Sequence, residues 1–273
     1  MSSAHRTIAS RLTAFGLAVA LAGSGVWAAG APAAAATATA TTTVTTPAEE
    51  PLRICEKFAS TPVSGNRYIV QNNVWGADTR QCLDVTRAGF RVVAADHHNA
   101  TNGPPAAYPS IYAGCHYGNC TTGSGLPLQV RQFRDVRSGV AIRTPDDGQW
   151  NAAYDLWFDP TPDPTGQNLG AELMIWLDHR GAPQPVGAKV ATVRLEHGTW
   201  DVWFGNVGWN VVTYVRTAPQ HRAHLDLGAF TTDAVRRGHV EEAWYLTSVQ
   251  FGFEPWELGT GLAVEHFAVR ARG

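Results

Sequence analysis

From Arg67 onward the chain is cut into short runs rich in Val, Ile, Tyr, Trp and Phe, separated by clusters of Gly, Pro, Asn and Asp at intervals of about ten to fifteen residues. Runs of this length are strands. They cover Tyr68 to Asn72, Phe90 to Ala95, Leu128 to Phe133, Ala153 to Phe158, Glu172 to Leu177, Lys189 to Glu196, Trp200 to Phe204, Val211 to Val215, Tyr245 to Phe253 and Leu262 to Arg270. Helical spacing occurs only over Thr231 to Trp244, through Ala234, Val235, Val240 and Ala243. So many strands with one short helix predict an all-β, two-sheet sandwich of jelly-roll type, an arrangement that manages many strand edges. No fixed repeat is present, which sets aside a propeller or a solenoid. With 273 residues, 44% of them hydrophobic, the chain is long enough for one large core.

The N-terminus reads differently. His5, Arg6 and Arg11 precede an apolar stretch from Leu12 to Ala29 and then small residues around Ala33 to Ala36, the order of a secretory signal peptide. Residues 37–52 are mostly Ala, Thr, Pro and Glu, too polar and small to offset the entropy of ordering, and form a flexible leader. The expected layout is a signal peptide over 1–36, the leader over 37–52 and one folded domain over 53–273, secreted and free of membrane once mature. Export makes four cysteines, Cys55, Cys82, Cys115 and Cys120, read as two disulfides. Of three possible pairings, the short Gly- and Asn-containing loop between Cys115 and Cys120 favours that bridge, leaving Cys55 with Cys82. No second C-x-x-C or spaced His pair supports zinc, so no metal is expected. A formal net charge of −2 gives no reason for nucleic acid or an anionic membrane as partner, and a neutral ligand fits better. His97 and His98 sit in a polar, turn-rich stretch and read as surface residues.

Alternation sends successive strand side chains to opposite faces. Along Glu172 to Leu177, Leu173, Ile175 and Leu177 face one way, while Glu172, Met174 and Trp176 face the other. Along Tyr245 to Trp256 the second face carries Ser248, Gln250, Gly252, Glu254 and Trp256; Gly252 would let a ligand approach the backbone, and Pro255 implies a bulge or strand end. Asp155 and Trp157 share a face of Ala153 to Phe158, and Gln71, Asn73 and Trp75 share one of the segment from Tyr68 to Trp75. Four segments thus each contribute a polar group beside an aromatic, the composition of a sugar-binding groove, because aromatic planes cover pyranose faces while amides and carboxylates meet hydroxyls. Hydrolysing a glycosidic bond takes two carboxyl groups. On pattern alone the pair is Glu172 and Glu254. No G-x-S-x-G is present for a serine hydrolase, and Gly259-Thr260-Gly261 lacks the third glycine of a dinucleotide loop.

The runs Gln71-Asn72-Asn73-Val74-Trp75-Gly76, Tyr108-Pro109-Ser110-Ile111-Tyr112, Gly114-Cys115-His116-Tyr117-Gly118-Asn119-Cys120, Ala153-Tyr154-Asp155-Leu156-Trp157, Glu172-Leu173-Met174-Ile175-Trp176-Leu177, Pro183-Gln184-Pro185-Val186-Gly187 and Gly252-Phe253-Glu254-Pro255-Trp256 resemble glycoside hydrolase family 12, the small secreted endoglucanases and xyloglucanases, in its actinobacterial branch. The resemblance runs from Cys55 to the C-terminus. It implies a β-jelly roll with a concave sheet forming an open cleft, endo-β-1,4-glucanase activity with retention of configuration, and no cofactor. The substrate would be a β-glucan polysaccharide (cellulose, mixed-linkage glucan or xyloglucan) and the enzyme a monomer. It makes Glu172 the nucleophile, Glu254 the general acid/base and Asp155 the carboxyl that tunes the nucleophile. Asn73, Trp75, Met174, Trp176, Pro185, Val186 and Gly187 become cleft residues, joining Gln250 and Trp256, which alternation already sets on the outward face, with His116 and Tyr117 on a loop bordering the cleft. Asn206 is matched to a sugar-binding Asn, although Phe204-Gly205-Asn206-Val207-Gly208-Trp209 departs from the usual Asn-Gly-rich loop; Trp209 and Asp178-His179-Arg180 are where unusual specificity is expected. The alternatives are a xyloglucan-specific enzyme of the same family, or a carbohydrate-binding jelly roll without catalysis.

Overall fold

A computed structural model describes residues 51–163 and 165–273. The expected signal peptide, and the leader up to residue 50, lie outside the described residues. Leu52, expected to end the leader, instead pairs with Val85 in a strand over Leu52–Ile54, because it finds a hydrogen-bonding partner in Gln81–Val85.

Two sheets face each other, as the short alternating runs predict. The smaller one has six strands in the order Leu52–Ile54, Gln81–Val85, Phe90–Ala95, Ala263–Arg272, Asp135–Arg143 and Arg222–Asp226. The larger one runs Ala188–Leu195, Gly198–Asn206, Asn210–Arg216, Ala171–Arg180, Gln149–Asp159, Tyr245–Glu257, Ser110–His116, Tyr68–Gln71 and Ser60–Val63, with two short strands at its margins. Pairing is antiparallel except between Ala171–Arg180 and Asn210–Arg216. Leu156, Phe158, Leu173, Ile175, Leu177, Val249, Phe251 and Phe253 point from the large sheet into one core, where they meet Phe90, Val140, Ile142 and Phe267 of the small sheet. Since alternation commits one face of each strand to that core, the opposite face of the large sheet must carry the remaining side chains outward. That outward face is where the cleft forms.

The helix occupies Leu227–Arg236, four residues earlier than its apolar spacing predicts. Asp226 caps it, its carboxylate accepting from the Gly228 amide at 3.0 Å, and Gly238, at φ +76°, ends it. Phe230 then packs edge-on against Trp200 and Tyr214, with centroids 5.0 and 5.2 Å away. The run expected over Leu128 to Phe133 is a strand only at Leu128–Gln129 and continues as a 3-10 turn over Val130–Gln132. His97 is buried rather than superficial: its ring nitrogens lie 2.7 Å from Thr79 Oγ1 and 2.8 Å from Gln81 Oε1, and burial lowers its pKa to about 4. Disulfides join Cys55 to Cys82 and Cys115 to Cys120. No helix among the described residues is long and apolar enough to cross a membrane.

Candidate active site

The floor of the cleft is the strand Gln149–Asp159, whose outward residues Asn151, Ala153, Asp155 and Trp157 alternate with core residues. On one side Ala171–Arg180 sets Glu172 opposite Trp157, Met174 opposite Asp155 and Trp176 opposite Ala153. On the other, Tyr245–Glu257 sets Gln250 opposite Asp155 and Glu254 opposite Asn151. Glu172 and Glu254 therefore reach the cleft from the two neighbours of one strand, and Asp155 stands on that strand between them. Ala153, Met174 and Trp176, joined by Val215, make a small apolar cluster on the floor. The cleft has a volume of roughly 1340 Å³, beyond the range of about 300 to 1,000 Å³ usual for a small-molecule pocket. It suits a chain of sugar rings.

An apolar floor removes water from the carboxyl groups and so disfavours their charged forms. Burial pushes the Glu254 pKa up to about 8, with Glu172 adding repulsion, against a lowering by the Asn151 amide. Burial likewise raises Glu172 to about 7, while the Trp209 indole N–H pulls it back. Asp155 is driven well above the usual carboxylate range by burial and by both glutamates, with Trp157 opposing. Each carboxyl has one dedicated donor. Asn151 Nδ2 donates to Glu254 Oε2, Trp209 Nε1 to Glu172 Oε2 at 3.0 Å, and Trp157 Nε1 to Asp155 Oδ2 at 2.8 Å. Asp155 Oδ1 and Trp176 Nε1 are buried without a hydrogen-bond partner in the protein.

Residues 66–271 match the family model for glycosyl hydrolase family 12. The chain belongs to glycosyl hydrolase family 12. Among solved structures, endoglucanase cel12A from Rhodothermus marinus is 45% identical with a TM-score of 0.79, the match covering 81% of this chain and 99% of that one. Endoglucanase S of Pectobacterium parmentieri is 32% identical over 201 residues, 69% of this chain and 76% of that protein. The xyloglucan-specific endo-beta-1,4-glucanase A of Emericella nidulans is 29% identical over 213 residues, 72% and 81% of the two chains.

The other residues predicted for the cleft of this family 12 enzyme fall into two groups. Asn73, Trp75, His116, Tyr117, Met174, Trp176, Pro185, Val186 and Trp256 line it. Asn73 and Trp75 do so from irregular backbone, since the strand stops at Gln71 and Asn73 turns to φ +43°. Three residues stand back from it. Gln250, fully buried, donates to His116 Nδ1 at 3.1 Å and accepts from Gln71 at 3.2 Å; His116, held neutral by burial with a pKa of about 4, then carries its proton on Nε2. Gly187 serves the backbone: at φ +85° an added Cβ would lie 1.9 Å from the Phe204 carbonyl oxygen. Asn206 braces its own turn, accepting from the Gly208 amide at 3.1 Å and donating to Asn210 at 3.1 Å, because a three-residue turn leaves its flanking amides close together. Gly252 does not open the backbone to a ligand, as an added Cβ would stand 2.2 Å from the Pro109 carbonyl oxygen. The bulge that Pro255 implies is present: Trp150 pairs with Pro255 but Gln149 with Glu257. Asn151, the donor to Glu254, escapes a pattern reading, and Trp209, the donor to Glu172, stands out in the sequence only as a departure from the family's loop, with no hint of its partner. Asn151 sits beside Asp146, Asp147 and Gly148, where polar residues suggest only a turn.

Proposed function

We propose that this family 12 enzyme is a secreted endo-β-1,4-glucanase that cuts within β-glucan chains by double displacement, with retention of the anomeric configuration. The observation that carries the reading is the pair of desolvated glutamates on the two strands flanking Gln149–Asp159, lining a long cleft that also holds Trp75, Trp176 and Trp256. The open groove supports binding along a polymer rather than capture of its end. Trp75, 48% exposed, offers a ring face for a pyranose.

The ordering of the two glutamates supports their roles. Glu254, with the higher pKa, keeps the proton it must give to the leaving oxygen, while a free oxygen of ionised Glu172 attacks the anomeric carbon as the bond to that oxygen breaks. Glu254, now ionised, takes a proton from water as the water oxygen attacks the same carbon, and the ester bond to Glu172 breaks. Two inversions restore the starting configuration. A binding module without catalysis has no use for two carboxyl groups held out of water at a cost in stability.

Proton NMR of early product tests the reading: the β-anomer should appear first, and the α-anomer only through mutarotation. An initial α signal would mean that Glu172 activates a water instead. The Emericella nidulans relative makes xyloglucan the alternative substrate, so soluble cellulose, mixed-linkage glucan and xyloglucan should be compared side by side. Two disulfides support export to an oxidising compartment.

A further inference from the structure

The turn joining Gly198–Asn206 to Asn210–Arg216 is three residues long and is built to hold one side chain over the cleft. Asn206 and Asn210 face each other in the register. The Asn206 side chain bonds to both Gly208 and Asn210, as described above, and Asn210 Nδ2 donates to the His239 carbonyl at 3.0 Å, tying the turn to the segment after the helix. Gly208 takes φ +109°, a conformation that favours glycine. These restraints fix Trp209, half-buried, with its Nε1 3.0 Å from Glu172 Oε2 and its ring 5.8 Å from that of Trp157 at 54°. Trp157 makes the same kind of bond one carboxyl away, to Asp155. Two touching indoles thus each serve one member of a carboxyl pair.

We propose that Trp209 is a positioning residue for the nucleophile, whose indole N–H holds one oxygen of Glu172, leaves the other free to attack, and draws the negative charge to Glu172 rather than Asp155. The inference rests on Glu172 being the nucleophile. An indole nitrogen only donates, so its bond favours the ionised form of whatever accepts it. Two buried carboxyls this close cannot both hold charge cheaply, and the donors decide which does. Trp157 favours Asp155; Trp209 opposes that bias on behalf of the attacking group. The other titratable groups around Glu172 are Glu254 on the strand beyond Asp155, and Tyr108, His116 and Tyr117 on the cleft wall. The two phenols are pushed up and the imidazole is neutral. The described residues lining the cleft include no lysine or arginine, so Glu172 has no cation there to hold its charge.

The test measures kcat and KM against pH on a soluble β-glucan for the unaltered enzyme, Trp209→Phe, Trp209→His and Glu172→Gln. Trp209→Phe keeps a ring against Trp157 and loses the N–H. Its kcat should fall by about tenfold to a hundredfold with KM changed by less than about threefold, and the acid limb of kcat/KM should move up by about one pH unit, the size of one hydrogen bond to a charge. Trp209→His restores a donor and should recover part of kcat. An unmoved acid limb, or a loss expressed mainly in KM, overturns the proposal and makes Trp209 a sugar platform. Should Trp209→Phe fail to fold by circular dichroism, Trp209→Leu, which also lacks the N–H, takes its place and is read in the same way: a lowered kcat with a raised acid limb supports the donor role, and an unmoved limb or a KM-only loss refutes it. Near-normal turnover by Glu172→Gln sinks the nucleophile assignment instead, and so separates the two failures.

Discussion

The two glutamates are held in unlike ways. Glu254 is gripped by the sheet: Asn151, its neighbour in the register, donates to its carboxyl while accepting from its backbone amide at 3.1 Å. Glu172 is gripped by a loop, through a tryptophan carried on a three-residue turn. A donor fixed by a strand ladder inherits the stiffness of that ladder, whereas one on a turn depends on the local bonds of Asn206, Gly208 and Asn210. Glu254 is therefore held by the part of the site built into the fold, and the environment of Glu172 is the part that loop sequence can retune.

The most severe way to probe this contrast is to remove each carboxyl. Glu172→Gln should lower turnover by several orders of magnitude, on the order of 10⁴ or more. Glu254→Gln should do as much on a polysaccharide, yet cost far less in kcat/KM on an aryl glycoside whose leaving group needs no proton, since that ratio reports only formation of the glycosyl-enzyme; equal losses of kcat/KM on both substrates would contradict the division of roles. Each folded pKa lies above the unfolded value, so the contribution of these groups to stability is fully present at acidic pH and lost as pH rises through about 7 for Glu172 and about 8 for Glu254. Both Gln variants should consequently lose less Tm than the unaltered enzyme between pH 5 and 9, checked by calorimetry.

Breaking the sheet-borne grip is the next step down. Asn151→Ala should cost about a hundredfold in kcat. Losing a donor that lowers the Glu254 pKa should move the alkaline limb of the kcat/KM profile to higher pH while leaving the acid limb in place. The loop-borne donor should instead move only the acid limb, also to higher pH. Movement of the acid limb instead would show that the two grips are not independent.

The pH profile of the unaltered enzyme sharpens the comparison without any substitution. Under the proposed roles, turnover needs Glu172 ionised, hence pH above about 7, and Glu254 protonated, hence pH below about 8. A narrow bell near neutrality should result. A broad optimum around pH 4 to 5 would mean that substrate-free burial overstates the desolvation felt during turnover.

The smallest effect on catalysis is expected at the disulfides, whose contribution is to stability. Cys55 and Cys82 are 27 residues apart and Cys115 and Cys120 only 5, so chain entropy assigns roughly 3.5 kcal/mol to the first and roughly 2 kcal/mol to the second. Paired Ser substitutions followed by denaturant unfolding measure the order. The Cys115–Cys120 variant should also loosen His116 and Tyr117 and raise KM a few-fold.

What the chain determines by itself is what has a local period. Alternation over Glu172 to Leu177 and Tyr245 to Trp256 is enough to separate core residues from the outward face, because the two-residue repeat of a strand requires no knowledge of its neighbours. The carboxyl pair and the aromatics around it were legible for that reason. Strands with weaker patterning were not: Asp135–Arg143 carries Ser138 and Gly139 at its centre, and Ser110–His116 contains Gly114. The helix was displaced because apolar spacing continues past Gly238 while the backbone there does not. Which strands adjoin is a non-local matter of register, and only the fold decides it. Register sets Asn151 beside Glu254 and, through the parallel pairing of Ala171–Arg180 with Asn210–Arg216, brings the turn bearing Trp209 to Glu172. A sequence pattern can mark a side chain as outward-facing, but the partner that tunes its charge lies on another strand, and its distance is decided by hydrogen-bond ladders between segments far apart in the chain.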